Sequence, residues 1–96
     1  MSREAEATTR WLISGRVQGV GFRWFVLKLA DAYGVTAGWA ANLADGRVEV
    51  VARGPHATLE RFGTELAKGP RFARVDHVEK SDVPHDMAVP NTFEAR

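Results

Sequence analysis

Gly15-Arg16-Val17-Gln18-Gly19-Val20-Gly21-Phe22-Arg23 is where a strand-like run breaks into a glycine-punctuated loop and passes at once into a helix. The combination has the shape of an anion cradle. Glycine lacks a Cβ and accepts positive φ at little steric cost, so Gly15, Gly19 and Gly21 let successive backbone N–H groups face one point. The helix that follows adds its unpaired first-turn N–H groups and the positive end of its dipole. Arg23, in the first helical turn, adds a planar fork of donors matched to phosphate or carboxylate oxygens.

On the N-terminal side of the cradle, Thr9 to Val17 mixes aromatic and branched residues without a helical period, which reads as a first strand. On its C-terminal side Phe22, Phe25, Val26, Leu29, Ala30 and Tyr33 form a continuous apolar stripe at helical spacing, and Gly34 is placed to end that helix. Val35 to Asn42 reads as a second strand. Asp45-Gly46 is the turn into a third, Arg47 to Arg53, in which Val48, Val50 and Ala52 alternate with Arg47, Glu49 and Arg53. Gly54-Pro55 opens a second helix with Leu59, Phe62 and Leu66 on one face, and Gly69-Pro70 stops it. Ala73 to Val83 is a fourth strand whose apolar positions, Val75 then Val78, break strict alternation and indicate a bulge or a bend. Pro84 to Arg96 is expected to end in a short edge strand around Phe93.

The order strand, helix, strand, strand, helix, strand predicts an α+β, ferredoxin-like βαββαβ sandwich, with two helices on one face of a mainly antiparallel sheet. The first two strands, joined by a helical crossover, then run parallel and end at the same edge of the sheet. Asn42, closing the second strand, is therefore expected beside the cradle that follows the first. Trp11, Trp39, Phe22, Phe25 and Phe62 are assigned to packing, whereas Trp24 lies off the apolar stripe and is expected to be exposed. Arg16, Arg47 and Arg53 are read as a solvated face, and the three histidines as ordinary surface or half-buried residues.

A chain of 96 residues suits one compact domain, read as residues 9–96 after a polar, disordered tail of residues 1–8. With Lys+Arg 13 against Asp+Glu 12 the charge is nearly balanced, which argues against a duplex-DNA binder. No cysteine is present, so disulfides, thiolate metal sites and a cysteine nucleophile are excluded. No apolar run approaches the roughly 20 residues that cross a bilayer, and a cytoplasmic location is expected. The glycine loop lacks the Gly-Lys-Ser/Thr of a Walker A motif. His56, His77 and His85 are widely separated, so no metal and no cofactor are expected. What remains is a bound phosphate, an arginine to offset its charge, and a neutral amide, Asn42, able to hold a water. So modest an apparatus suffices when the substrate brings a good leaving group, such as the carboxylate of an acyl phosphate.

The cradle segment, together with Gly38-Trp39-Ala40-Ala41-Asn42 and Asp45-Gly46-Arg47-Val48-Glu49-Val50, resembles the two signature segments of the acylphosphatases. The similarity runs through Gly54-Pro55 and Gly69-Pro70 and covers almost everything after the first eight residues. It implies a small ferredoxin-like enzyme that hydrolyses the carboxyl-phosphate bond of acyl phosphates without a metal. On that pattern Arg23 matches the phosphate-binding arginine, the backbone of Gln18, Gly19, Val20, Gly21 and Phe22 matches the phosphate loop, and Asn42 matches the asparagine that orients the attacking water. The family often carries a bulky residue and then a cation where this chain has Ala40-Ala41, an aromatic where it has Gly21, and a branched residue where it has Ala95.

Each of these residues has a plainer role when taken singly. The glycines serve any tight strand-to-helix turn, Arg23 any solvated helix face, and Asn42 any turn entry. Their coincidence at one sheet edge favours a site. A single-stranded RNA binder on the same fold would need a basic aromatic pair on the central strands, where Trp11 stands without a partner. A regulatory module that binds an anion without turnover is the alternative that sequence leaves open. The expected partner is a small-molecule acyl phosphate met by a monomer, with no nucleic acid and no membrane.

Overall fold

A computed structural model describes residues 6–84 and 87–96. Strand β1, Glu6–Arg16, leads through Val17 and the turn Gln18-Gly19-Val20-Gly21 into helix α1, Phe22–Tyr33. The strand begins earlier than Thr9: Glu6, Ala7 and Thr8, read from sequence as tail, pair with Pro55, Gly54 and Arg53. The rest of the expected tail, residues 1–5, lies outside the described residues, as does His85. Helix α1 spans the stripe that its spacing predicts, with Phe22, Val26 and Ala30 buried. It ends at Gly34, whose φ of 69° lets its N–H and that of Val35 turn back onto the last carbonyls.

Strand β2, Ala37–Asn42, and strand β3, Val48–Pro55, form the hairpin around Asp45-Gly46. Helix α2, His56–Lys68, buries Leu59, Phe62 and Leu66. Strand β4, Arg74–Asp82, and strand β5, Phe93–Ala95, complete a five-stranded sheet in the order β4-β1-β3-β2-β5. β3 sits between β1 and β2 and is antiparallel to both, so β1 and β2 run the same way without touching. β5 adds to β2 in parallel, pairing Ala95 with Ala40. The arrangement is the expected ferredoxin-like one with a fifth strand on its edge.

Both helices pack on one face, over Trp11, Ile13, Val48, Val50 and Ala52. Phe62 of α2 stands edge-on to Trp11 at 5.6 Å and to Phe93 at 6.3 Å, tying three elements together, each such pair contributing about 0.5–1.5 kcal/mol beyond its buried area. The bulge in β4 is where Val75 and Val78 placed it: Ser14 pairs with His77 and Gly15 with Val75, leaving Asp76 as the extra residue. Gly15 is required there, because a Cβ would collide with the Arg74 carbonyl and the Asp76 amide. It belongs to the bulge and not to the anion cradle that its sequence position suggested.

The other sheet face differs from the solvated face expected of Arg47 and Arg53. Val51 is buried, with Arg10 opposite it on β1 and Trp39 opposite it on β2. Glu49 binds both of those neighbours, accepting from Arg10 Nε at 2.7 Å and from Trp39 Nε1 at 2.9 Å. Arg53 is half-buried, donating to Thr8 Oγ1 and to the Met87 carbonyl. The stems and forks of these side chains roof the apolar residues beneath them.

Candidate active site

Gly19 and Gly21 take the left-handed backbone conformation, with φ of 73° and 78°, and a Cβ at either would meet nothing within 4 Å. They are needed for their dihedrals and not for space. Gly21 is the N-cap of α1 and offers no side-chain acceptor, so the N–H groups of the first turn have no capping partner. The next residue, Phe22, is 2% exposed and plugs the start of the helix into the core, edge-on to Phe25. The cradle is thus a short glycine-containing loop fixed at both ends, by the β1 ladder and by a buried ring.

A small pocket of about 180 Å³ opens at this corner. Gly19, Gly21, Phe22 and Arg23 form one wall and Asn42 another, with Val17 and Trp24 completing it. The last residue of β2 meets the loop that follows β1, as the parallel run of the two strands predicts. Arg23 is held from behind: its Nη1 donates to the main-chain oxygen of Arg96 at 2.6 Å. Arg96 is itself pinned, donating its N–H to Ala40 at 2.7 Å and laying its guanidinium over the Trp39 ring at 4.2 Å. One arm of the Arg23 fork is therefore used for orientation.

The chain just after Asn42 is tied to the cradle by a second set of contacts. The Gln18 side-chain amide donates to the Leu43 carbonyl at 2.7 Å and to the Arg47 carbonyl at 3.0 Å, stapling the cradle to the β2–β3 turn. That turn is closed by Asp45, which accepts from the Arg47 amide at 3.0 Å and from Arg47 Nε at 2.8 Å. Hydrogen bonding from the Arg47 side chain, then from its amide, holds the Asp45 carboxyl below the usual carboxylate range. A charge-assisted turn and a neutral amide together fix the distance from loop to strand end.

The acylphosphatase family model matches residues 9–95. This chain belongs to the acylphosphatase family. It is 57% identical over 79 residues to the acylphosphatase of Koribacter versatilis, covering 82% of this chain and 71% of that one. It is 57% identical over 68 residues to that of Thermus thermophilus, covering 71% and 76%. The crystal structure of acylphosphatase from Bacillus subtilis superposes with a TM-score of 0.85 at 34% identity, covering 96% of this chain and 99% of that one.

Of the residues that the acylphosphatase signatures single out, Gly19, Gly21, Phe22, Arg23 and Asn42 meet in the pocket. Gln18 and Val20 are not among the residues lining it, and the Gln18 side chain points to the turn. Two residues were given no role by sequence reasoning. Arg96 had no signal, since its contact depends on which strand β5 joins. Trp24 was marked as exposed and left without a role. Among the described residues no three His, Asp or Glu side chains gather as metal ligands, and no helix is long and apolar enough to cross a membrane.

Proposed function

We propose that this acylphosphatase hydrolyses the carboxyl-phosphate bond of small acyl phosphates by in-line attack of water, with Arg23 and Asn42 as its working side chains. The observation that carries the reading is the single pocket in which Gly19, Gly21, Arg23 and Asn42 face one another. The phosphoryl oxygens take the cradle amides, from Gln18 to Phe22, and the Nε–Nη2 edge of the Arg23 guanidinium, which is left free by the Nη1 contact and matches two oxygens at once. Asn42 accepts from and donates to the attacking water. As the water oxygen bonds to phosphorus, the bond from phosphorus to the bridging oxygen breaks and its electron pair leaves on the carboxylate. The phosphate oxygens take the water's proton, so no protein base is required. With the leaving group already good, positioning and charge stabilisation carry the rate. The same reading makes the enzyme a cytoplasmic monomer acting without a metal.

The test is turnover of acetyl phosphate in excess chelator, comparing the parent protein with variants confirmed as folded. Arg23→Lys keeps the charge and loses the fork, and is expected to lower kcat/KM roughly 10²-fold or more. Asn42→Ala is expected to lower kcat by a similar factor while phosphate affinity changes little. Equal losses in kcat and in phosphate affinity would move Asn42 from water positioning to binding. Phosphate binding without turnover in the parent protein would make the chain an anion-binding module.

A further inference from the structure

The side chain that the hydrolytic reading leaves unused is Trp24. It follows Arg23 in the first turn of α1, lines the same pocket, and is 65% exposed. The pocket's other large apolar walls offer no surface outward, since Val17 and Phe22 are 1% and 2% exposed. The Lys28 ammonium, one turn further along α1, lies 5.8 Å from the indole centroid and steadies the ring through its π-face. Phe72, the other large hydrophobic exposed among the described residues, is outside the pocket.

We infer that Trp24 is the acyl subsite, and that it selects acyl phosphates whose acyl group is a planar apolar ring over those with a short chain. The inference rests on the hydrolytic reading for the orientation of substrate. With the phosphoryl group held by cradle amides and Arg23, the acyl group has to lie along the pocket wall. Of the residues lining the pocket, Trp24 is the one with a large exposed apolar side chain. An aromatic acyl group offset-stacked on it removes apolar area from both partners, whereas an acetyl group covers little of the ring.

The experiment compares benzoyl phosphate with acetyl phosphate in the parent protein, Trp24→Ala and Trp24→Phe. In Trp24→Ala the benzoyl-to-acetyl ratio of kcat/KM is expected to fall roughly tenfold, through KM rather than kcat, and Trp24→Phe is expected to recover most of it. An unchanged ratio, or equal losses on both substrates, would overturn the subsite. Binding of phenylphosphonate against methylphosphonate to the same proteins reads the ring preference without turnover. A preference that Trp24→Ala abolishes supports the subsite even if hydrolysis fails; no preference in the parent protein overturns it.

Discussion

Gln18 is uncharged and half-buried, yet its one amide bridges the loop that follows β1 and the turn that follows β2. A side-chain amide to two carbonyls contributes about 1–2 kcal/mol in a partly buried setting; without it the Arg47 carbonyl keeps the Leu43 N–H as a donor and the Leu43 carbonyl loses its side-chain partner. Its larger effect is on geometry, because Asn42 stands directly before Leu43. Gln18→Leu is expected to lower stability by about 1–2 kcal/mol and to lower kcat by tenfold or more, with phosphate affinity nearly kept; a displacement of this kind acts on alignment, where a shift of about 1 Å is severe. Steady-state kinetics beside a phosphate titration separates the two, and a loss of affinity alone would deny Gln18 its positioning role. The meeting of Arg23 and Asn42 in one pocket was legible in the sequence because the strands and helix around them fix where they fall. The partners of Gln18 lie 25 and 29 residues away, and no local pattern announces them.

At the scale of elements, two positive-φ glycines do different work. Gly34 ends α1 at φ 69° in open space, while Gly15 sits at φ 126° against the backbone of β4. Adding a methyl at Gly34 meets only the dihedral penalty, about 1 kcal/mol. At Gly15 the same methyl also forces β4 away at the bulge, and the expected loss is about 3 kcal/mol. Denaturant midpoints of Gly34→Ala and Gly15→Ala check the contrast, and equal losses would mean that the bulge yields freely. The bulge itself was readable, since Val75 and Val78 both have to reach the core from a strand of period two. The close approach of Gly15 was not, because a glycine before a loop looks the same whether its missing Cβ makes room for a ligand or for a strand. Val51 escaped for a related reason: alternation assigns it to the outer face, but it cannot tell that Arg10, Glu49 and Trp39 cover that face.

For the whole molecule, strand direction decides what can meet. β1, β2 and β5 all run opposite to the central β3, so Arg16, Asn42 and Ala95 end at the same sheet edge, where α1 begins. The meeting of β1 and β2 followed from a single crossover helix and could be read in advance. The arrival of β5, and with it the Arg96 contact to Arg23, depends on a connection that crosses from β4 to the far edge of the sheet, which no periodicity encodes. A site assembled from ends of separate strands exists only while the central ladder is intact. An anion bound there is therefore linked to global unfolding and not to the opening of one loop. At 100 times its dissociation constant, inorganic phosphate is expected to stabilise the fold by about 2.7 kcal/mol, on the order of 10–20 °C in Tm for a domain of this size. Sodium chloride at equal ionic strength is expected to give a small shift, and Arg23→Ala to remove most of the phosphate effect. Thermal unfolding followed in both salts measures it. Equal shifts in phosphate and chloride would reduce the effect to general screening and leave the cradle without a specific anion.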